Sequence, residues 1–202
     1  MEKDFKKLAE QYKDELLNNV IPFWIENSLD KDYGGFFTCL DRTGKVFDTD
    51  KFIWLQGRQV WMFSKLYNKV KKKPEWLQIA LHGADFLKKY GHDGNLNWYF
   101  SLTREGKPLV QPYNIFSDCF ATMAFGQLFK ATGNEEFGRI ARMTFDNILI
   151  RSTNPKGKFN KSVPGTRPLK GFSLPMILCN LSLEIEHLLP KELVEETIRN
   201  VL

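Results

Sequence analysis

Apolar residues recur every three or four positions along most of the chain, which is the pattern of amphipathic helices. The first such stretch covers residues 1–27, and Pro22 predicts a kink near its end. Further helices are predicted at about 51–70, 74–90, 115–132, 134–152 and 172–189, with a last one from 191. The intervening residues 153–171 contain several prolines and glycines and predict a long loop. The pattern therefore predicts a mainly α-helical protein.

Two short stretches have the alternation and turn residues of β-hairpins instead. The first runs through 36–40, turns at 41–44 and returns over 45–47. The second runs through 98–102, turns at 104–107 and returns at 109–110.

The two predicted hairpins share a sequence. LDRTGK at residues 40–45 recurs as LTREGK at residues 102–107, an offset of 62 residues, and each copy follows a pair of aromatic residues. Two predicted helices lie between the copies, so the repeating unit is a helix pair with a hairpin at one end.

Such units are typical of an α-toroid, in which inner and outer helices alternate and the hairpins lie on one rim. About three helix pairs fit in the chain, whereas a closed toroid needs about twice that number. An open half-ring would leave the flanks of its inner helices as an exposed apolar patch.

Composition adds aromatic residues to this picture. The hydrophobic and charged contents, 43 % and 26 %, are ordinary for a globular protein, whereas the aromatic content of 14 % is high. Aromatic rings fill large cores, and they also line sugar-binding clefts. The net charge of +5 is spread out apart from Lys69–Lys73, so nucleic-acid binding is not predicted.

The cysteines and the N-terminus bear on the location of the protein. Cys39, Cys119 and Cys179 lack metal-type spacing and lie among apolar residues, which predicts buried free thiols. Without an apolar leader or a long apolar run, a cytoplasmic protein with no membrane span is expected.

Arg58 is the main candidate for binding chemistry. It lies near the start of the predicted second helix, between Trp54 and Trp61, although a surface ion pair is the alternative. His82, His92 and His187 lack metal-ligand spacing and are predicted to be structural or exposed. Residues 30–41 loosely resemble a calcium loop, but its twelfth position is Asp41 where glutamate is needed, so no metal site is predicted.

Several stretches resemble one known family, N-acylglucosamine 2-epimerase, also called renin-binding protein. They are FWIENS at 23–28, YGGFF at 33–37, KFIWLQGR at 51–58, YNIFSDCF at 113–120 and PMILCNL at 175–181. The resemblance implies an (α/α)6 barrel, with residues 1–202 forming a single domain that corresponds to its N-terminal half.

The resemblance also implies a reaction and partners. The family interconverts N-acetylglucosamine and N-acetylmannosamine, on the route to sialic acid, by removing and returning the C2 proton. It implies no required metal or cofactor, a nucleotide such as ATP as effector, a homodimer and renin binding.

Carried over by position, the resemblance assigns substrate binding to Arg58 and Asn180, and less firmly to Tyr113. It places the catalytic histidine pair beyond Leu202, so no catalytic residue is expected in this chain. Two hypotheses follow: a sugar-binding half of an epimerase that is inactive alone, or a non-catalytic interaction module that sequesters a partner or pairs with a longer subunit.

Overall fold

The computed structural model describes residues 4–112, 114–152, 166 and 171–200. The α-helices of this part of the chain are α1 (Phe5–Glu15), α2 (Ile21–Asn27), α3 (Ile53–Lys69), α4 (Pro74–Tyr90), α5 (Phe116–Thr132), α6 (Glu135–Ile150), α7 (Ser173–Glu184) and α8 (Lys191–Arg199). The short strands are β1 (Cys39–Leu40), β2 (Val46–Asp48), β3 (Lys51–Phe52), β4 (Ser101–Leu102) and β5 (Pro108–Val110).

The helices form an inner and an outer layer. Eleven of the seventeen residues of α5 are buried, so it has neighbours on several sides, whereas α4 and α6 each bury one apolar face. α3 packs against both α4 and α5, and α7 packs against α5. We therefore place α3, α5 and α7 in the inner layer and α2, α4, α6 and α8 in the outer one.

Neighbouring inner helices run in the same direction. Near the start of α3, Gly57 lies against the backbone of Phe120 in α5. Near its end, the side-chain amide of Asn68 donates to the carbonyl oxygen of Gln127 at 2.9 Å. The intervening α4 returns the chain, which is the alternation predicted from the repeat.

The repeated hexapeptide forms the same turn twice. Asp41 N donates to Lys45 O at 2.9 Å, and Thr103 N donates to Lys107 O at 2.8 Å. Gly44 and Gly106 adopt φ of 88° and 95°, a left-handed conformation that favours glycine. The predicted hairpins are thus confirmed as β1–β2 and β4–β5.

The start predicted for the second long helix, at about residue 51, was wrong. Lys51 and Phe52 form β3, which pairs antiparallel with β4 and extends the second hairpin to three strands. Lys51 lies in a strand because this position lets its ammonium group form a buried ion pair with Asp30, 2.9 Å away. The helix begins two residues later than predicted, at Ile53.

The first predicted helix is also interrupted differently. Between α1 and α2, residues Leu16–Val20 form a π-helical turn that ends just before Pro22. Proline has no N–H to donate, and wide turns of this kind are a common cause of helix bends. None of the residues of α1 is buried.

Two apolar clusters make up the core. The larger joins α2, α3, α4, α5 and α6 around fully buried rings such as Phe36, Phe63 and Trp98. The smaller packs α5 and α6 against Leu181 and Ile185 at the end of α7 and just beyond it. Most of the predicted loop at 153–171 lies outside the described residues. No described helix is both long and apolar enough to cross a membrane.

Candidate functional site

Arg58 lies on the side of α3 that faces away from α4. Its guanidinium carbon is 5.0 Å from the ring centre of Phe120 in α5 and 5.7 Å from that of Trp54. A guanidinium over aromatic rings at these distances is held by cation–π attraction. The side chain is exposed, so its charge is available to a ligand. Of the two predicted aromatic neighbours, Trp54 contacts the guanidinium, whereas Trp61 donates to Glu184; Phe120 is a neighbour that the spacing along one helix could not reveal.

A cavity of about 250 Å³ adjoins Arg58. Its walls come from α2, α3 and the segment before β1, and they are mainly apolar. The lining residues are Trp24, Thr38, Leu55, Arg58, Gln59, Trp61 and Met62. A mostly apolar pocket with a few polar groups is the usual form of a small-molecule site.

Two side-chain atoms in the walls of this cavity, Gln59 Nε2 and Thr38 Oγ1, have no hydrogen-bond partner. Gln59 is 8 % exposed; its Oε1 accepts a hydrogen bond from Ser28 Oγ at 3.2 Å, whereas its Nε2 has no partner. The hydroxyl of Thr38 also has none. Buried polar atoms are nearly always paired in proteins, so these two mark an incomplete surface.

Glu184, at the end of α7, ties the three inner helices together. Its carboxylate accepts from Trp61 Nε1 at 3.0 Å, from Lys65 Nζ at 2.5 and 2.8 Å, and from Gln127 Nε2 at 3.0 Å. Loss of hydration would raise the pKa of Glu184, but the hydrogen bonds from Lys65 and Trp61 outweigh it and lower the pKa. This junction holds α7 in register with the helix that carries Arg58.

The structure does not bring Asn180, the second predicted binding residue, to the cavity. Asn180 is exposed on α7, one turn before Glu184, and it does not line the cavity at Arg58. Tyr113 lies outside the described residues. Neither assignment is tested, and both stay predictions.

The three histidines lie away from Arg58. His82 Nε2 is 3.0 Å from Gly35 O, and His187 Nε2 is 3.0 Å from Gly126 O. His92 Nδ1 accepts from Gly94 N at 3.0 Å. Burial lowers the pKa of His92 and of His187. None of the three lines the Arg58 cavity.

Asp30, the first residue of the segment that loosely resembles a calcium loop, has a structural role. Its carboxylate accepts from Lys51 Nζ at 2.9 Å and from Arg104 at 2.9 and 3.0 Å. Burial would raise the pKa of Asp30, but Arg104 and Lys51 outweigh it and lower the pKa to about 2. Among the described residues no three histidine, cysteine or acidic side chains are grouped as metal ligands.

A second buried carboxylate, Asp118, was missed as a titrating group although it lies in the quoted YNIFSDCF stretch. It is fully buried in α5, pairs with Arg151 just after α6, and leaves one oxygen without a partner. Burial raises the pKa of Asp118 to about 6 despite the Arg151 charge.

Of the cysteines, Cys119 is buried, whereas Cys39 and Cys179 are half-buried, so the prediction of three buried thiols was only partly right; all three are free.

Layered helices with hairpins on one rim define a helical barrel of the (α/α)6 type, and solved structures share this fold. Cellobiose 2-epimerase from Bacillus thermoamylovorans B4167 superposes with a TM-score of 0.81 at 21 % identity, covering 97 % of this chain and 54 % of that one. A sugar epimerase from a ruminal bacterium gives a TM-score of 0.79 at 22 % identity, covering 96 % and 53 %. Likeness at this level of identity shows the fold.

Sequence comparison shows the family. The model of the N-acylglucosamine 2-epimerase (GlcNAc 2-epimerase) family matches residues 35–192, and the chain belongs to that family. It is 38 % identical to N-acylglucosamine 2-epimerase of Bos taurus over 190 residues, and 40 % identical to that of Rattus norvegicus over 171 residues. These matches cover 90 % and 82 % of this chain but 44 % and 41 % of the relatives. The chain thus spans less than half the length of the curated relatives it matches.

Proposed function

We propose that this chain supplies the Arg58 side of a carbohydrate 2-epimerase site. In the intact parent, that site interconverts N-acetylglucosamine and N-acetylmannosamine. The observation that carries the proposal is the exposed guanidinium, seated on Phe120 and Trp54 at the edge of an aromatic-walled cavity. Family membership and relatives that bear this activity in their names support the choice of reaction.

The proposed reaction moves one proton. In the open-chain sugar, a base removes the proton on C2, and the electron pair shifts to the C1 aldehyde oxygen to give an enolate. An acid then returns a proton to C2 from the opposite face. A fixed cation beside the enolate oxygen stabilises the charge that develops there, and this is the role proposed for Arg58.

Two neutral-range bases are needed at C2, one on each face, and histidines have a suitable pKa. His82, His92 and His187 lie away from the cavity, so the proposal assigns this work to a histidine pair in the second half of the parent. A chain limited to residues 1–202 is then a binding half without turnover. No step requires a metal, and a nucleotide such as ATP enters only as an effector.

Sugar binding is tested by titrating the purified chain with N-acetylglucosamine and following chemical shifts. Arg58→Gln is expected to weaken binding at least about tenfold, because a hydrogen bond to a charged group contributes roughly 1.5–3 kcal/mol. Arg42→Gln is the matched control, since Arg42 is exposed on the β1–β2 turn. Equal affinities for the two variants would remove Arg58 from the site.

Catalysis is tested separately, by exchange at C2 in heavy water. The chain alone is expected to leave the C2 proton of N-acetylglucosamine in place. Deuterium incorporation at C2 by the purified chain, abolished in Arg58→Gln, would overturn the proposal that a second half supplies the bases.

A further inference from the structure

Two cationic side chains follow one another along the same face of α3. Arg58, Trp61 and Lys65 are separated by three and four positions, so all three project from nearly the same side of the helix. Seven positions of an α-helix rise by about 10 Å, which is the separation along the axis between the two cationic residues. Arg58 and Trp61 both line the cavity assigned to the sugar. The ammonium nitrogen of Lys65 is 5.7 Å from the ring centre of Trp61, so this second cation lies beside the cavity wall.

The two cations differ in their partners. In the described part of the chain, Arg58 contacts the rings of Phe120 and Trp54, which carry no net charge. Lys65 instead forms an ion pair, because its Nζ atom lies 2.5 and 2.8 Å from the two carboxylate oxygens of Glu184. The positive charge of Arg58 is therefore free, whereas that of Lys65 is neutralised from the neighbouring inner helix α7.

The carboxylate of Glu184 is held firmly enough to keep this pairing. Its side chain is only 15 % exposed, and it also accepts hydrogen bonds from Trp61 and Gln127 at 3.0 Å each. Loss of hydration would raise the pKa of Glu184, but these bonds and the one from Lys65 outweigh it and lower the pKa. The group is thus ionised at neutral pH, where it balances the lysine.

We propose that Glu184 determines the charge selectivity of the sugar site. By neutralising Lys65, it leaves Arg58 as the single free cation of this face of α3. One free cation suits a sugar that is neutral when it binds and gains one negative charge as its enolate forms. A second free cation would instead attract ligands that already carry negative charge, such as sugar phosphates and sugar acids. This inference rests on the proposed function, because it concerns the ligand of the same site.

The test compares two ligands, N-acetylglucosamine and N-acetylglucosamine 6-phosphate, each titrated into the full chain in the same low-salt buffer and followed by chemical shifts. The measured quantity is the selectivity ratio, the Kd of the neutral sugar divided by the Kd of the phosphate. Glu184→Gln frees the ammonium group of Lys65. It is expected to raise the selectivity ratio about tenfold, the size expected for one unit charge about 10 Å from an anion at a partly buried site.

Lys65→Gln is the reciprocal variant. It leaves the carboxylate of Glu184 without its cation, so the selectivity ratio should fall. The double variant Lys65→Gln/Glu184→Gln removes both charges and should return the ratio to that of the unchanged chain. Looser packing of α7 alone would weaken the binding of both sugars and leave their ratio unchanged. Circular dichroism shows which variants are folded, and Lys65→Gln decides the question if Glu184→Gln is not.

The inference is overturned if the selectivity ratio does not change in Glu184→Gln or, where that variant is unfolded, in Lys65→Gln. It is also overturned if the double variant keeps a raised ratio, because Lys65 would then not be the source of the attraction. Binding of N-acetylglucosamine that depends on Arg58, with a constant ratio, refutes this inference alone. Absence of any binding that depends on Arg58 refutes the proposed function and this inference with it.

Discussion

Gly57 of α3 lies directly against the backbone of α5: a Cβ atom at this position would be 2.9 Å from the carbonyl carbon of Phe120. This close approach is what allows Arg58, the next residue, to seat its guanidinium on the Phe120 ring. A larger side chain at position 57 must push the two inner helices apart.

Gly57→Ala is therefore expected to destabilise the fold. Overpacking costs about 1–3 kcal/mol, and the higher helix propensity of alanine offsets up to about 1 kcal/mol of it. Urea unfolding followed by circular dichroism measures the difference. Gly171→Ala is the control, because a Cβ atom at position 171 meets nothing within 4 Å, and it should leave the unfolding midpoint unchanged.

Asp30→Asn is expected to be among the most damaging single changes. Lys51 is fully buried, and removing its carboxylate partner leaves an uncompensated charge, a loss of about 3–5 kcal/mol. Asp32→Asn tests the exposed side of the same network. Asp32 is 72 % exposed, so its variant should lose at most about 1 kcal/mol by denaturant unfolding. Similar losses in the two variants would contradict this account.

The same carboxylate predicts acid sensitivity. The pKa of Asp30 is lowered from 3.8 to about 2 in the folded chain, so its contribution to stability is present above pH 4 and is lost as pH falls towards 2. At neutral pH that contribution is about 2 kcal/mol, at roughly 1.4 kcal/mol for each pKa unit. Unfolding free energies of the unchanged chain should fall across this window. Those of Asp30→Asn should lack this part of the decline.

Asp118 predicts the opposite dependence on pH. Its pKa is raised from 3.8 to about 6, so the folded chain holds this proton more tightly than the unfolded chain does. Ionised Asp118 then opposes folding, and stability should fall by about 2 kcal/mol relative to Asp118→Asn as pH rises from 4 to 7. Unfolding both proteins at each pH gives this difference directly. A difference that stays constant over the range would show that Asp118 is already ionised at pH 4.

Glu184→Gln is expected to loosen α7. The change weakens the ion pair with Lys65 and the hydrogen bonds from Trp61 and Gln127, for a loss of about 1–3 kcal/mol. Amide hydrogen exchange in Ser173–Glu184 should speed up more than exchange in α5. Glu186→Gln, a change at an exposed carboxylate two residues away, should leave the exchange of α7 as it was.

The sequence was most informative where local chemistry decides the structure. The bounds of α4 follow from Pro74 at the first helical position and the Gly91 stop, and Gly133 ends α5 in the left-handed conformation that its lack of a side chain permits. The two glycine turns of the repeat were recognised because the same hexapeptide appears twice. Each of these features depends on a few adjacent residues.

What the sequence could not give depends on residues far apart in the chain. Lys51 was assigned to a helix because its partner, Asp30, lies 21 positions earlier, and an ion pair across that distance leaves no periodic signal. Phe120 beneath Arg58 and Glu184 beside Lys65 were missed for the same reason. Asn180 and Tyr113 came only from resemblance, and the described contacts do not test them.

The burial of Lys51 also allows chemical labelling to report whether the structure around it is intact. Its amine is enclosed by Asp30, the Gly34 carbonyl 2.5 Å away and the Phe86 ring. Acylating reagents modify lysines they can reach, so solvent-facing amines such as that of Lys191 should be tagged quickly and Lys51 last. Peptide mass mapping of a briefly treated sample would then distinguish folded molecules from those in which the turn at residues 30–34 has unfolded.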